Sequence, residues 1–404
     1  MEIQGLQALY AGHKSVKALV KALQDGSART TFPEGVCASA APLLFSSVAA
    51  ACPQVMACPY VFVLDDAEEA GYFYHDLTQI LGEQEVFYFP SSFRRAVKFG
   101  QRDAANEILR TEVISRLSAG HRPLFVVTYP EAVMEKVVSR QKLNEQPLRL
   151  RAGERVDITF VEETLRAFGF RRVDYVYEPG QFAVRGSILD VFSFSSEWPY
   201  RVDFFGDEVD SIRTFEVQTQ LSRDKQEEIV IVPELAGYVQ GKVPFTDFLP
   251  PETVLVMKDL FFLRDVADRV YADGFSAQAL MDEQARTEME EAERHEKLRA
   301  DLMLVDGSAL MKGMLDFRRV EVGNKPSATP QATVRFHLTA QPIFHKNFEL
   351  VTRTFHEYLE KGYTLYILAD SAKQTDRLAS IFTEQASGIG FIPVDRTLHA
   401  GFAD

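Results

Sequence analysis

The chain has 404 residues, 46% of them hydrophobic and 25% charged, with a formal net charge of −14. That length predicts two to three domains at ~150 residues each, with enough apolar material for sizeable cores. The negative charge disfavours nucleic acid as the primary partner, because such binding rests on neutralising phosphates, and no apolar run reaches the ~18 residues of a membrane helix.

In chain order, residues 30–32 read as a short strand, followed by a Gly/Ala/Ser turn and an apolar helix over 42–51. A buried strand over 60–64, a helix over 66–81 and a strand over 86–89 come next. Ala105, Ile108, Leu109, Val113 and Leu117 have helical spacing. A buried strand over 123–128 and a helix over 131–138 follow. Strands alternating with helices predict a largely parallel sheet covered by helices.

The texture changes near Leu148. One helix, over 161–168, is followed by several strands separated by turn signals. Glu178-Pro179-Gly180-Gln181 suits a type II turn, with Pro second and Gly third. Gly206-Asp207 sits between two alternating apolar runs, as in a tight hairpin. Residues 149–232 therefore read as a small antiparallel α+β domain inserted after the first. Beyond it come a strand over 253–258 and a charged helix over 275–301, the latter of the solvated or domain-bridging kind. A Gly/Pro-bearing stretch over 323–330 reads as a linker. A helix over 348–361, a buried strand over 363–368 and a helix over 372–385 look like the start of a further α/β domain. The chain reaches Asp404 before that domain could complete a sheet, which reads as a truncation.

Chemistry-bearing motifs are few. Cys37, Cys52 and Cys58 form no C-x-x-C pair, and the eight histidines show no zinc spacing, so no metal is expected and a reduced, cytoplasmic setting is. The N-terminus has neither a basic nor an apolar leader region. The basic clusters Arg94, Arg95, Lys98 and Arg171, Arg172 read as solvated loops. Gly35 opens a stretch placed where a phosphate-binding loop would lie, between a strand and a helix. That loop needs G-x-x-x-x-G-K-[ST], but here Ala40, Ala41 and Pro42 occupy the last Gly, Lys and Ser/Thr positions. Ala40 adds a Cβ where backbone must approach phosphate. Ala41 removes the cation, and Pro42 removes both the Mg²⁺-binding hydroxyl and an N–H. The stretch is either a plain loop before a helix or a relic of a nucleotide loop, and neither reading predicts ATP hydrolysis. Asp207-Glu208-Val209-Asp210 and Asp65-Asp66 imitate metal-binding acids, yet they read as a hairpin turn and a helix N-cap. No catalytic constellation is found.

The most informative segment is the hairpin over 199–211. Tyr200, Val202 and Phe204 alternate with Arg201, Asp203 and Phe205, so the first set faces a core and the second faces solvent. Arg185, on the neighbouring strand over 181–186, lies opposite in facing to Phe182 and Val184. An exposed Phe beside arginines is the composition of a protein–protein hot spot. The alternative is that Phe205 packs under a helix or begins the turn, while the arginines pair with Asp203 and Glu208.

The two stretches from Phe182 to Phe192 and from Tyr200 to Ile212 resemble the second domain of UvrB-type excision-repair proteins. With the degenerate loop at Gly35, Ala40, Ala41 and Pro42, the chain is similar to the UvrB-like module of the bacterial transcription-repair coupling factor family (Mfd). The resemblance covers about residues 1–400, strongest over 172–214 and weakest over 233–340. It implies an α/β fold: a degenerate RecA-like, P-loop-type parallel sheet over 1–148 (domain 1A), an inserted small α+β domain over 149–232 (domain 2), domain 1B over 233–335, and the start of a further α/β domain over 336–404 (domain 3). It implies that Arg185, Arg201 and Phe205 dock UvrA, as the non-catalytic recruitment part of a nucleotide excision repair factor. RNA polymerase and DNA would be met by regions beyond this chain, and ATP and Mg²⁺ would serve a motor there, with no cofactor in this part. The motor end would also mask the docking surface. The family's damage-probing aromatic hairpin has no room between Phe89 and Asp103.

Overall fold

A computed structural model of the chain describes residues 1–92, 104–120, 123–145, 147–194, 196, 198–233, 241–274, 304–345, 347–384 and 388–404. The expected charged helix over 275–301, the basic cluster at Arg94, Arg95 and Lys98, and the stretch over 93–103 that bears on an aromatic hairpin lie outside these residues.

The first body begins with two helices, Ile3–Ala11 and Lys14–Asp25. Its strands are Thr30–Glu34 (β1), Pro59–Val63 (β2), Val86–Tyr88 (β3), Leu124–Thr128 (β4) and the short Val137–Val138 (β5). β2 and β4 are buried at every position, as strands of a sheet covered on both faces must be. Helices Ala40–Ala51, Ala67–Leu81 and Ala104–Ala119 connect them. The expected helix over 131–138 shortens to Pro130–Val133, because the β-branched pair Val137–Val138 instead joins a two-stranded ladder.

An inserted unit follows, with strands Leu148–Arg151 (β6), Arg171–Arg172 (β7), Gln181–Arg185 (β8), Ile188–Val191 (β9), Tyr200–Phe205 (β10), Glu208–Phe215 (β11), Ser222–Gln226 (β12) and Glu228–Ile231 (β13). Six of them form a sheet in the order β12-β11-β10-β9-β8-β7, and β6 pairs with β13. The helix Ile158–Ala167, capped by Asp157, lays Val161 and Leu165 on one face of this sheet. Phe182, Leu189, Val191, Val202, Phe204, Val209 and Ile212 meet them there and form a core of their own.

The chain then returns to the first body. Lys242–Val243 (β14) pairs with β5, while Val254–Met257 (β15), Arg318–Glu321 (β16) and Ala332–Arg335 (β17) join the large sheet. The described order is β17-β1-β16-β15-β2-β4-β3, parallel throughout. Over its described residues, therefore, the segment expected as a separate domain over 233–335 completes the first sheet. One core holds residues from both parts, such as Phe62 and Phe125 with Val256, Met314 and Phe336. The expected linker over 323–330 leads from β16 to β17, which pairs with β1, so it is a loop within this body.

The last segment carries Thr339–Ala340 (β18), Tyr366–Leu368 (β19), Ile392–Val394 (β20) and Phe402–Ala403 (β21), with helices Phe348–Glu360 and Ala372–Glu384. β19 pairs in parallel with β20. β19 is only half-buried rather than the buried strand expected, because β20 is its one described partner strand and the helix Phe348–Glu360 has no buried residue. Among the described residues no helix is long and apolar enough to cross a membrane.

Candidate functional site

β8, β9 and β10 bring the sequence-marked residues together. Antiparallel pairing sets Ala183 opposite Asp190 and Asp190 opposite Arg201, and in the next row Arg185 opposite Ile188 and Ile188 opposite Asp203. Directly opposed residues share a face, and diagonal neighbours remain within reach of long side chains. Asp190 therefore lies between the two arginines on the face turned away from the core. Phe205 ends β10, beside the two-residue turn Gly206-Asp207, where Gly206 takes a left-handed φ of 62° that favours glycine.

This hairpin tip is braced from below. Val156 N–H donates to Asp207 O at 2.7 Å, Gly153 N–H to Val209 O at 2.8 Å, and Val209 N–H to Glu154 O at 2.9 Å. Phe205 is thus presented on a fixed support, with 82% of its surface exposed. Transferring such a ring into an apolar socket contributes roughly 1.5–3 kcal/mol.

The arginines are held differently. Arg201 Nε donates to Asp190 Oδ1 at 2.7 Å and its Nη2 to Oδ2 at 2.9 Å, a two-pronged grip on one carboxylate. Arg201 Nη1 donates to Gln220 O, and its guanidinium lies 4.6 Å from the centre of the Phe215 ring. Hydrogen bonding to Asp190 pushes its pKa further up, so it is always charged. Its side chain is only 15% exposed. Arg185 Nη2 reaches the same Asp190 Oδ2, its Nη1 donates to Asp174 O at 2.8 Å, and its guanidinium sits 5.0 Å from the Tyr175 ring centre. Arg185 is 36% exposed. A third pair on this face joins Arg213 to Asp203. The three sequence-marked residues share one face, but they are graded in depth. Phe205 is open, Arg185 is partly open, and Arg201 is mostly buried instead of exposed. A small apolar cluster of Val176, Ala183, Phe192 and Phe215 belongs to the Arg201 end. The arginines do not use the partners Asp203 and Glu208 considered from sequence. They use Asp190, which sequence reasoning missed; its only signal is a lone acid inside the apolar strand Ile188–Val191.

The loop after β1 lies where a nucleotide loop belongs, at the C-terminal ends of parallel strands. A cavity of about 640 Å³ opens there, lined in part by Ser39, Ala41, Pro42, Lys258, His399 and Ala400. Gly35 has φ 83°, and a Cβ there would come within 2.4 Å of Phe336 O, so this glycine is needed for chain packing. The loop's polar groups meet the chain's own backbone. Ser39 N–H donates to Ala400 O at 3.3 Å, and Ala400 N–H to Ser39 Oγ at 2.8 Å. Ser39 Oγ donates to Asp76, which also accepts from His399 N–H at 2.7 Å. The His399 ring stacks on Tyr72. Burial pushes the Asp76 carboxyl up, and hydrogen bonds from Ser39 and His399 only partly oppose this.

Asp66, Glu68, Glu69, Asp76 and Asp259 also line the cavity, against Lys258 and Lys325. Lys258 is engaged by Asp65 and Glu69. A wall richer in carboxylates than in ammonium groups, with Pro42 inside the first helical turn, does not suit a triphosphate. Of the acid pairs that imitate metal sites, Asp66 caps the helix Ala67–Leu81 by accepting from Glu69 N–H at 2.8 Å, and Asp207 lies in the hairpin turn. Among the described residues no group of three or more His, Cys, Asp or Glu is placed to hold a metal ion.

Comparison with known proteins matches residues 148–236 to the UvrB interaction domain family. Relatives include the transcription-repair-coupling factor of Haemophilus influenzae, 33% identical over 162 residues, which is 39% of this chain and 14% of the relative. That of Escherichia coli is 35% identical over 124 residues, 31% of this chain and 11% of the relative. That of Staphylococcus aureus strain USA300 is 31% identical over 157 residues, 39% and 13% respectively. The matched stretch thus spans only a small part of the length of these relatives. The inserted unit is therefore similar to the UvrB interaction domain family, and part of the chain resembles the transcription-repair coupling factors.

Proposed function

We propose that this chain is a recruitment module of transcription-coupled nucleotide excision repair, in which the inserted domain docks UvrA and so brings the excision machinery to a stalled RNA polymerase. The observation that carries this reading is Phe205, an aromatic ring exposed on a braced hairpin and on the same sheet face as Arg185, within the stretch that matches the UvrB interaction domain family. An exposed aromatic anchor next to guanidiniums is what protein–protein hot spots are made of. Arg185 supplies the planar fork that grips a partner carboxylate with two hydrogen bonds.

The module's own part is non-catalytic on this reading. The relic loop offers neither lysine nor hydroxyl at positions 41 and 42, and its nearest polar groups are engaged by His399 and Ala400. ATP and Mg²⁺ would belong to a motor elsewhere in the protein, and that motor end would mask the docking face in the resting state.

The test is capture of purified UvrA by the immobilised chain. Phe205→Ala is expected to remove most capture while the circular dichroism melt stays unchanged. Capture equal to the unsubstituted chain would sink the reading.

A further inference from the structure

We propose that Asp190 is a positioning residue of the docking face, and that the partner group it prepares for is a single acidic side chain beside an apolar socket. This rests on the docking reading above. Asp190 is fully buried, yet its two oxygens take hydrogen bonds from arginines on two different strands, β8 and β10. A buried carboxylate persists only when paired, and removing one member of such a group leaves an uncompensated charge. Here a single acid fixes the orientation of two guanidiniums at once.

The charges of the cluster show where the partner enters. Arg185, Arg201 and Arg213 are bonded to Asp190 and Asp203, so three guanidiniums share two carboxylates. One positive charge is left over. Arg201 is gripped on both prongs and mostly buried, and Arg213 is paired with Asp203. The surplus therefore falls to Arg185, which holds Asp190 through one nitrogen and is the more exposed of the two arginines that share it. Arg185 touches the partner, whereas Arg201 acts through Asp190 by neutralising it and locking its rotamer. The partner surface must then offer one carboxylate at Arg185 and an apolar pocket for Phe205.

The experiment compares Asp190→Asn, which keeps the shape and loses the charge, with Phe205→Ala and Arg185→Ala in the full chain, using purified UvrA and a titration for Kd. Asp190→Asn is expected to weaken binding about tenfold or more. It is also expected to move the Arg201 Nε–H NMR signal from a protected, hydrogen-bonded position to a solvent-exchanging one, with the chain still folded by circular dichroism. Because this substitution could unfold the domain, the same signal is read in the unsubstituted chain, where it must be protected. Fast exchange there overturns the proposal without any variant. Binding lost in Phe205→Ala and Arg185→Ala but kept within twofold in folded Asp190→Asn overturns the proposal alone. Binding kept in all three overturns the docking reading and the proposal with it.

Discussion

The inserted sheet and the loop after β1 both present, in sequence, the outline of a binding site, and they differ in what meets their polar groups. On the sheet, Asp190 satisfies the buried ends of two arginines while the rim, with Arg185 and Phe205, stays turned to solvent. At the loop, Ser39 and Asp76, which line a cavity, are matched by the backbone of His399 and Ala400 from the far end of the sequence. Internal satisfaction serves opposite ends in the two places. In the first it holds an exposed rim in shape, and in the second it ties a loop beside a cavity to the end of the chain. A motif's outline therefore says less than the partners of its hydrogen-bonding groups.

The largest expected effect separates the depths of Arg201 and Phe205. Arg201→Ala strips Asp190 of its two-pronged partner and should lower stability by about 3–5 kcal/mol, the penalty for breaking a buried pair. Urea unfolding followed by domain-resolved hydrogen exchange measures this, and an unchanged transition would mean that Arg201 is a surface contact after all. Phe205→Ala should do the reverse, with about 2 kcal/mol lost in UvrA binding and stability within about 0.5 kcal/mol of the parent. At the loop, Ser39→Ala removes a hydroxyl bonded to both Asp76 and Ala400 and should cost about 1 kcal/mol, seen as faster exchange of the Ala400 amide while the inserted domain is untouched.

The smallest effect concerns pH. Burial raises the Asp76 carboxyl in the folded state, so between the unfolded and folded values the native chain binds more protons, and stability falls as pH rises through that window. Asp76→Asn should therefore change the Tm more favourably at pH 7 than at pH 4; an equal shift at both would show that Asp76 does not titrate abnormally.

Much of the architecture is legible in the sequence, because apolar runs such as 60–64 and 123–128 can only be buried strands in this context. The hairpin at Gly206-Asp207 and the turn at Gly180 are legible because glycine at positive φ leaves a local mark. β16 is not legible: Arg318 and Arg319 disguise it, and their guanidiniums reach the carbonyls of Leu23 and Leu315. The helix Lys14–Asp25 has a signal that could have found it, since Val16, Leu19 and Leu23 recur at helical spacing and are buried. The facing of Arg201 and Phe205 follows from alternation, but their depth does not, since depth depends on which loops pack over the sheet. The seat of Asp190 between two arginines is a matter of strand register, which no local pattern records. The contact of Ser39 with Ala400 joins residues 361 positions apart.

The place of β1 in the sheet also has a consequence for synthesis. Among the described residues, Thr30 and its neighbours find their strand partners in β16 and β17, with Thr30 bonded to Gln331 across 301 positions. At roughly 5–20 residues per second on the ribosome, β1 waits on the order of 15–60 s for the strands that flank it. The inserted domain carries its strands within one contiguous stretch and has its own core. It is therefore ready to fold while the first sheet is still open, so the face that carries Arg185 and Phe205 can be finished before the body that carries it.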